Sequence, residues 1–135
     1  MSRTLTRVAG TIAAVFYGLP GLYAFFAPQS FAENIATFPP YSRHLIHDIG
    51  SFMIGLAVVS VAALVWSDAV SVAFAGVATA SAFSGTAHIL DYHLGGRPVD
   101  PVFLYGLAVL LTVALVARRT GFRSEGTSCN RVTRP

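Results

Sequence analysis

The chain has 135 residues, 54% of them hydrophobic and 11% charged, and a formal net charge of +3. A soluble domain carries about 25% charged residues, and so short a chain has too much surface for a core to absorb the deficit, so lipid is the expected solvent. All nine basic residues are Arg, spread along the chain at the edges of apolar runs, which argues against a nucleic-acid surface, while the single Cys129 excludes an internal disulfide or a paired-cysteine metal site.

Four apolar runs follow one another: residues 8–27, 45–66, 69–90 and about 101–117. About 20 helical residues cross a hydrocarbon layer of about 30 Å, which the first three runs reach and the shorter fourth reaches by borrowing its aromatic and Arg flanks, and lipid leaves no backbone group without a partner, so each run is expected to be a membrane helix. Arg3 and Arg7 ahead of the first run imitate the basic start of a signal peptide, but the run exceeds the usual apolar length of about 7–15 residues, so a retained helix is expected. Gly18, Pro20 and Gly21 should kink it.

Between the first two runs, Ser30 and Glu33 have capping-box spacing, and Phe31, Ile35 and Phe38 form one apolar stripe. These signs predict a short helix lying in the membrane interface, with an irregular hydrophobic loop as the alternative, ended by Pro39 and Pro40. Ser67 or Asp68 is expected to cap the third run, and Asp100 followed by Pro101 to open the fourth. Arg97 beside Asp100 reads as a surface pair worth about 0–1 kcal/mol. From Thr120 onward the composition predicts a disordered tail. The expected fold is therefore an all-α integral membrane antiparallel four-helix bundle over residues 1–119, with a short interfacial helix between the first two spans and a tail over 120–135.

Arginine placement orients the bundle. Arg3 and Arg7 precede the first run, and Arg118, Arg119, Arg123, Arg131 and Arg134 follow the last, whereas the opposite loops hold only Arg43 and Arg97. Positive residues favour the cytoplasmic side, so a plasma (inner) membrane protein with both termini in the cytoplasm is expected.

All four histidines fall in two clusters, His44, His47 and Asp48 at the start of the second run, and His88, Asp91 and His93 at the end of the third. An antiparallel hairpin brings both to its outer end. His44, His47 and Asp48 share a helical face that continues through Ser51 and Gly55, and His88 continues a small-residue stripe of Gly76, Ala80 and Ser84 that should pack between helices. Imidazole and carboxylate are ligands for zinc, iron or manganese, so these six residues are candidate metal ligands. A structural hydrogen-bond cluster is the competing reading. Haem held by His47 and His88, quinone contact or a proton relay come behind these. Arg43 and Tyr41 are candidates for lipid-headgroup contact.

The first-span motif from Phe16 through Tyr17, Gly18, Pro20 and Gly21 to Tyr23, the entry to the second run from Pro40 to Gly50, and the exit of the third from His88 to Gly95 resemble small four-helix bacterial membrane proteins of the DoxX-like type. The resemblance covers about residues 8–118 as architecture, and for some such proteins it implies quinone-linked redox chemistry. Two functions are therefore expected to compete: a metal-dependent site that binds or acts on a lipid, isoprenoid or quinone, and a non-catalytic accessory subunit of a larger membrane complex or homo-oligomer.

Overall fold

The structure is a computed structural model that describes the backbone of residues 2–129 and the side chains of residues 3–119. The helices are α1 (Ser2–Phe26), α2 (Pro28–Asn34), α3 (Arg43–Val65), α4 (Val70–Leu90) and α5 (Asp100–Cys129), with one 3-10 turn at Tyr92–Leu94. Among the described residues there is no strand. Four segments are long and apolar enough to cross a membrane: Arg3–Phe26, Arg43–Val65, Val70–Leu90 and Asp100–Arg119. Past Arg119 the backbone of α5 runs helically to Cys129, and the rest of the expected tail, residues 130–135, lies outside the described residues.

Local chemistry explains the helix ends, and two of them differ from expectation. Ser42 caps α3, its hydroxyl accepting the Leu45 N–H at 3.4 Å. For α4 neither Ser67 nor Asp68 caps. The chain is already in helical conformation at the N-cap Ala69, so the free N–H groups lie one residue beyond their reach, and no side chain replaces them. The Ser67 carbonyl instead accepts a bond from Arg118 Nη2 at 2.6 Å. The Ser30 capping box of α2 is not formed either, because that helix starts earlier, at Ala27, with Pro28 supplying the first turn. Ser30 therefore lies inside α2, where its hydroxyl shares a 2.6 Å hydrogen bond with the Tyr23 hydroxyl.

The bundle is built from two extensive interfaces, α1 on α3 and α4 on α5, joined mainly by α1 against α5; α3 and α4, though consecutive, touch much less. Gly10 meets the Leu64 side chain, and Arg118 meets Ser67, so the start of α1, the α3–α4 turn and the end of the described part of α5 share one end. α2 and the loops at 35–42 and 91–99 lie at the other, distal end. The core holds Phe74, Leu111, Val70 and Val77, all essentially without solvent access, with the Tyr17 hydroxyl and Ser81 Oγ joined at 2.8 Å across α1 and α4.

Small residues decide how closely α1 and α3 approach. A Cβ on Gly50 would lie 2.9 Å from both the Gly21 carbonyl oxygen and the Phe25 nitrogen, so the two backbones are in direct contact there. The face expected to pack is a different one. Ser51 and Gly55 are exposed, and Gly55 and Gly76 have open space where a Cβ would be. α4 instead buries Val70, Ala73, Phe74, Val77, Ala78, Ser81 and Gly85. These residues fill the seam with α5 and α1, and since α3 leans on α1, Gly76 of the small stripe is left facing open space.

Candidate functional site

At the distal end the six histidines and aspartates do not gather into one cluster. His44 is exposed at the start of α3 and meets Asp48 at 3.5 Å one turn later. His47 lies against Phe25 of α1, ring centroids 5.4 Å apart. His88 lies against Phe38 of the 35–42 loop, 5.9 Å between centroids. Asp91 ends α4 and His93 sits in the 3-10 turn, both exposed. Among the described residues, no three His, Cys, Asp or Glu side chains gather so as to hold one ion. The physical reason is that the imidazoles of the two clusters pack on different aromatics, His47 toward α1 and His88 toward the loop. Tyr41 and Arg43 are exposed beside the start of α3.

What the distal half does form is a side-open cavity of about 800 Å³. Phe16, Tyr17 and Tyr23 of α1, Phe31 of α2, Ile35 and Phe38 of the following loop, Met53 of α3 and Leu104 of α5 form much of its wall. Exposed residues of α1 and α5, Val15, Leu19 and Phe103, also belong to the wall, so the cavity reaches the side of the bundle between these helices. Phe31, Ile35 and Phe38 thus border the cavity; the segment does form a short helix, but it ends at Asn34, so of the expected stripe only the buried Phe31 lies in it and Ile35 and Phe38 follow in the loop.

The polar groups of the wall divide into two kinds. Tyr17 and Tyr23 are tied to Ser81 and Ser30. Ser84 and His88, one turn apart on α4, have no hydrogen-bond partner among the described residues. Nearby helical hydroxyls behave differently: Ser60, Ser81 and Thr86 each donate to the carbonyl four residues earlier, which Ser84 does not. Arg97 and Asp100 complete the polar part. Nε and Nη2 of Arg97 donate to Asp100 Oδ1 at 3.2 and 3.0 Å, and the Arg97 backbone N–H approaches Oδ2 at 3.4 Å. The aspartate side chain is 15% exposed and the arginine 45%, so the pair borders the cavity rather than standing free in solvent.

Two glycines hold the roof in place. Gly95 and Gly96 have φ of 137° and 85°. A Cβ on Gly95 would lie 2.5 Å from the Thr37 carbonyl oxygen, and one on Gly96 2.5 Å from Phe38 Cζ. Gly96→Ala is therefore expected to cost about 1–3 kcal/mol, from its backbone conformation and the displaced Phe38 ring. Gly106→Ala, whose Cβ meets nothing within 4 Å, should leave stability unchanged or slightly raised. Thermal midpoints in one detergent compare the two, and equal midpoints would contradict the loop contact.

Of these residues, the sequence singles out His88 and Phe38. Ser84 reads there as packing, and Arg97 with Asp100 as an incidental surface pair. The i, i+4 spacing of Ser84 and His88 is visible there only as part of a small-residue stripe, on a helix that also holds Ser71, Thr79, Ser81 and Thr86. Comparison of the chain with protein-family models, with curated proteins and with solved structures found no match.

Proposed function

We propose that the chain is a multi-pass membrane protein that binds one lipophilic molecule, of lipid, isoprenoid or quinone type, in the cavity of its distal half. The observation that carries this reading is an apolar cavity of about 800 Å³ into which Ser84 and His88 bring hydrogen-bonding groups without partners. Ligand sites are concave and mostly apolar, of about 300–1,000 Å³, with few polar groups to fix orientation. Lipid as the solvent is supported by the outward faces of the helices, where Val72 is 79% exposed and Phe52 77%. In this reading the distal end is the outer one, as the arginine distribution favours and as the DoxX-like plan allows, and ligand enters from the bilayer between α1 and α5.

The test is to purify the protein in mild detergent, extract it with organic solvent and identify what is released. About one lipophile per chain is expected, and release of bulk phospholipid in membrane proportions would count against the cavity. Elemental analysis of the same sample addresses the metal reading: zinc, iron or manganese in stoichiometric amount, lost in both His47→Ala and His88→Ala, would favour the histidines as ligands instead. Orientation is checked with Cys129, the chain's single cysteine. A membrane-impermeant maleimide should leave it unlabelled in intact cells and label it after permeabilisation; labelling in intact cells would reverse the topology.

A second reading, an accessory subunit within a larger complex or homo-oligomer, is favoured by one observation. Gly55, Gly76 and Gly106 open outward from three helices, where another helix could approach closely. Cross-linking in native membranes separates the two, since a stable stoichiometric partner favours the accessory role.

A further inference from the structure

We infer that the cavity selects a single-chain lipophile with an uncharged oxygen head, a hydroxyl or a carbonyl, and that Asp100 excludes the phosphorylated form of the same chain. This rests on the cavity-binding reading above and adds the chemical class of the ligand.

The first ground is size. A cavity of about 800 Å³ that opens sideways between α1 and α5 has room for an isoprenoid or acyl chain with its head inside. The second is the charge of the lining. Besides His88, the ionisable groups around the cavity are two phenols and one opposed pair, Arg97 with Asp100. The guanidinium places two N–H groups on Asp100 Oδ1, so its cation is already matched. A phosphate entering here would meet the Asp100 carboxylate, 15% exposed at the cavity edge, where like charges repel more strongly than in bulk water. Displacing the arginine toward the phosphate would in turn leave that carboxylate without its ion partner.

The third ground is the unused hydrogen-bonding capacity. Ser84 Oγ can donate and accept, and so can an imidazole, and both stand one turn apart on the same wall. A hydroxyl or carbonyl oxygen between them satisfies both without any net charge entering the cavity. Selection against the phosphate is then a repulsive device, with attraction supplied by the α4 pair.

The test uses the full chain in detergent and two probes with one tail, farnesol and farnesyl monophosphate. Wild type should bind farnesol about 10-fold or more tighter, a preference of about 1.4 kcal/mol. Asp100→Asn keeps the size of the side chain and releases the arginine. It should strengthen farnesyl phosphate about 10-fold while changing farnesol about 2-fold or less. Arg97→Gln should weaken the phosphate further. Farnesyl phosphate binding wild type as tightly as farnesol, or an unchanged ratio in Asp100→Asn, overturns the inference while leaving the cavity reading intact. Binding of neither probe by wild type counts against the cavity reading itself. Should Asp100→Asn not fold, the wild-type ratio and Arg97→Gln still decide.

Discussion

Gly50→Ala is expected to lower the stability of the bundle by about 1–3 kcal/mol, and Gly50→Leu to prevent the folded bundle from forming. The atoms that an added methyl meets are the Gly21 carbonyl oxygen and the Phe25 nitrogen, both 2.9 Å away. These are backbone atoms of α1 and cannot rotate aside, so the whole helix must retreat. α1 against α3 is the most extensive interface in the molecule, and the small cluster of Ala24, Phe31 and Ile46 beside it ties α2 to the same seam. Loss of that seam should therefore loosen the cavity roof as well. Gly55→Ala is the matched control, five residues on and on another face with nothing within 4 Å, and its better helix propensity should leave it neutral or raise stability by up to about 1 kcal/mol. Unfolding of the purified protein in mixed micelles by SDS measures both. If Gly55→Ala were the damaging change and Gly50→Ala the harmless one, the packed face of α3 would be the one carrying His44, His47, Asp48 and Ser51.

Ser84→Trp is expected to weaken binding of a lipophilic ligand by about 30-fold or more without loss of the fold. The side chain is partly buried and borders open volume, so an indole can enter the cavity in place of the ligand head. Removing a single uncharged hydrogen bond costs about 1 kcal/mol, so Ser84→Ala should weaken binding only about 5-fold. Displacement of a fluorescent isoprenoid probe gives both numbers. Equal, small effects of the two substitutions would mean that the ligand does not reach this wall.

The long elements are legible in the sequence as apolar runs, and all four are helices long and apolar enough to cross a membrane, the fourth gaining length beyond its run from Asp100 and from Arg118 and Arg119. A short helix in this segment is legible, although only Phe31 of the expected stripe lies in it and Ile35 and Phe38 follow in the loop. Its start is not, because Pro28 opens a helix as readily as Ser30 caps one. Helix rotation is where reading from small residues fails. Gly50 and Gly55 look alike in sequence, yet only Gly50 faces a backbone, and which glycine does so depends on α3 choosing α1 over α4 as its neighbour. The same choice separates His47 from His88. Topology carries both to the distal end, but aromatic partners on different elements, Phe25 and Phe38, take one ring each. In the sequence Ser84 reads as packing and Arg97 with Asp100 as a surface pair; that they border one cavity depends on a packing that no pattern of neighbours along the chain encodes.

The most direct test of a ligand held inside the distal half is photo-crosslinking with a diazirine-bearing isoprenoid alcohol in native membranes, followed by peptide mapping. A ligand in the cavity places the attachments on its wall, at residues such as Tyr17, Ile35, Met53 and Leu104, and excess farnesol removes them. Attachments confined to outward residues such as Phe52, Val72 and Phe83, insensitive to competitor, would instead describe ordinary bilayer lipid and contradict the binding role.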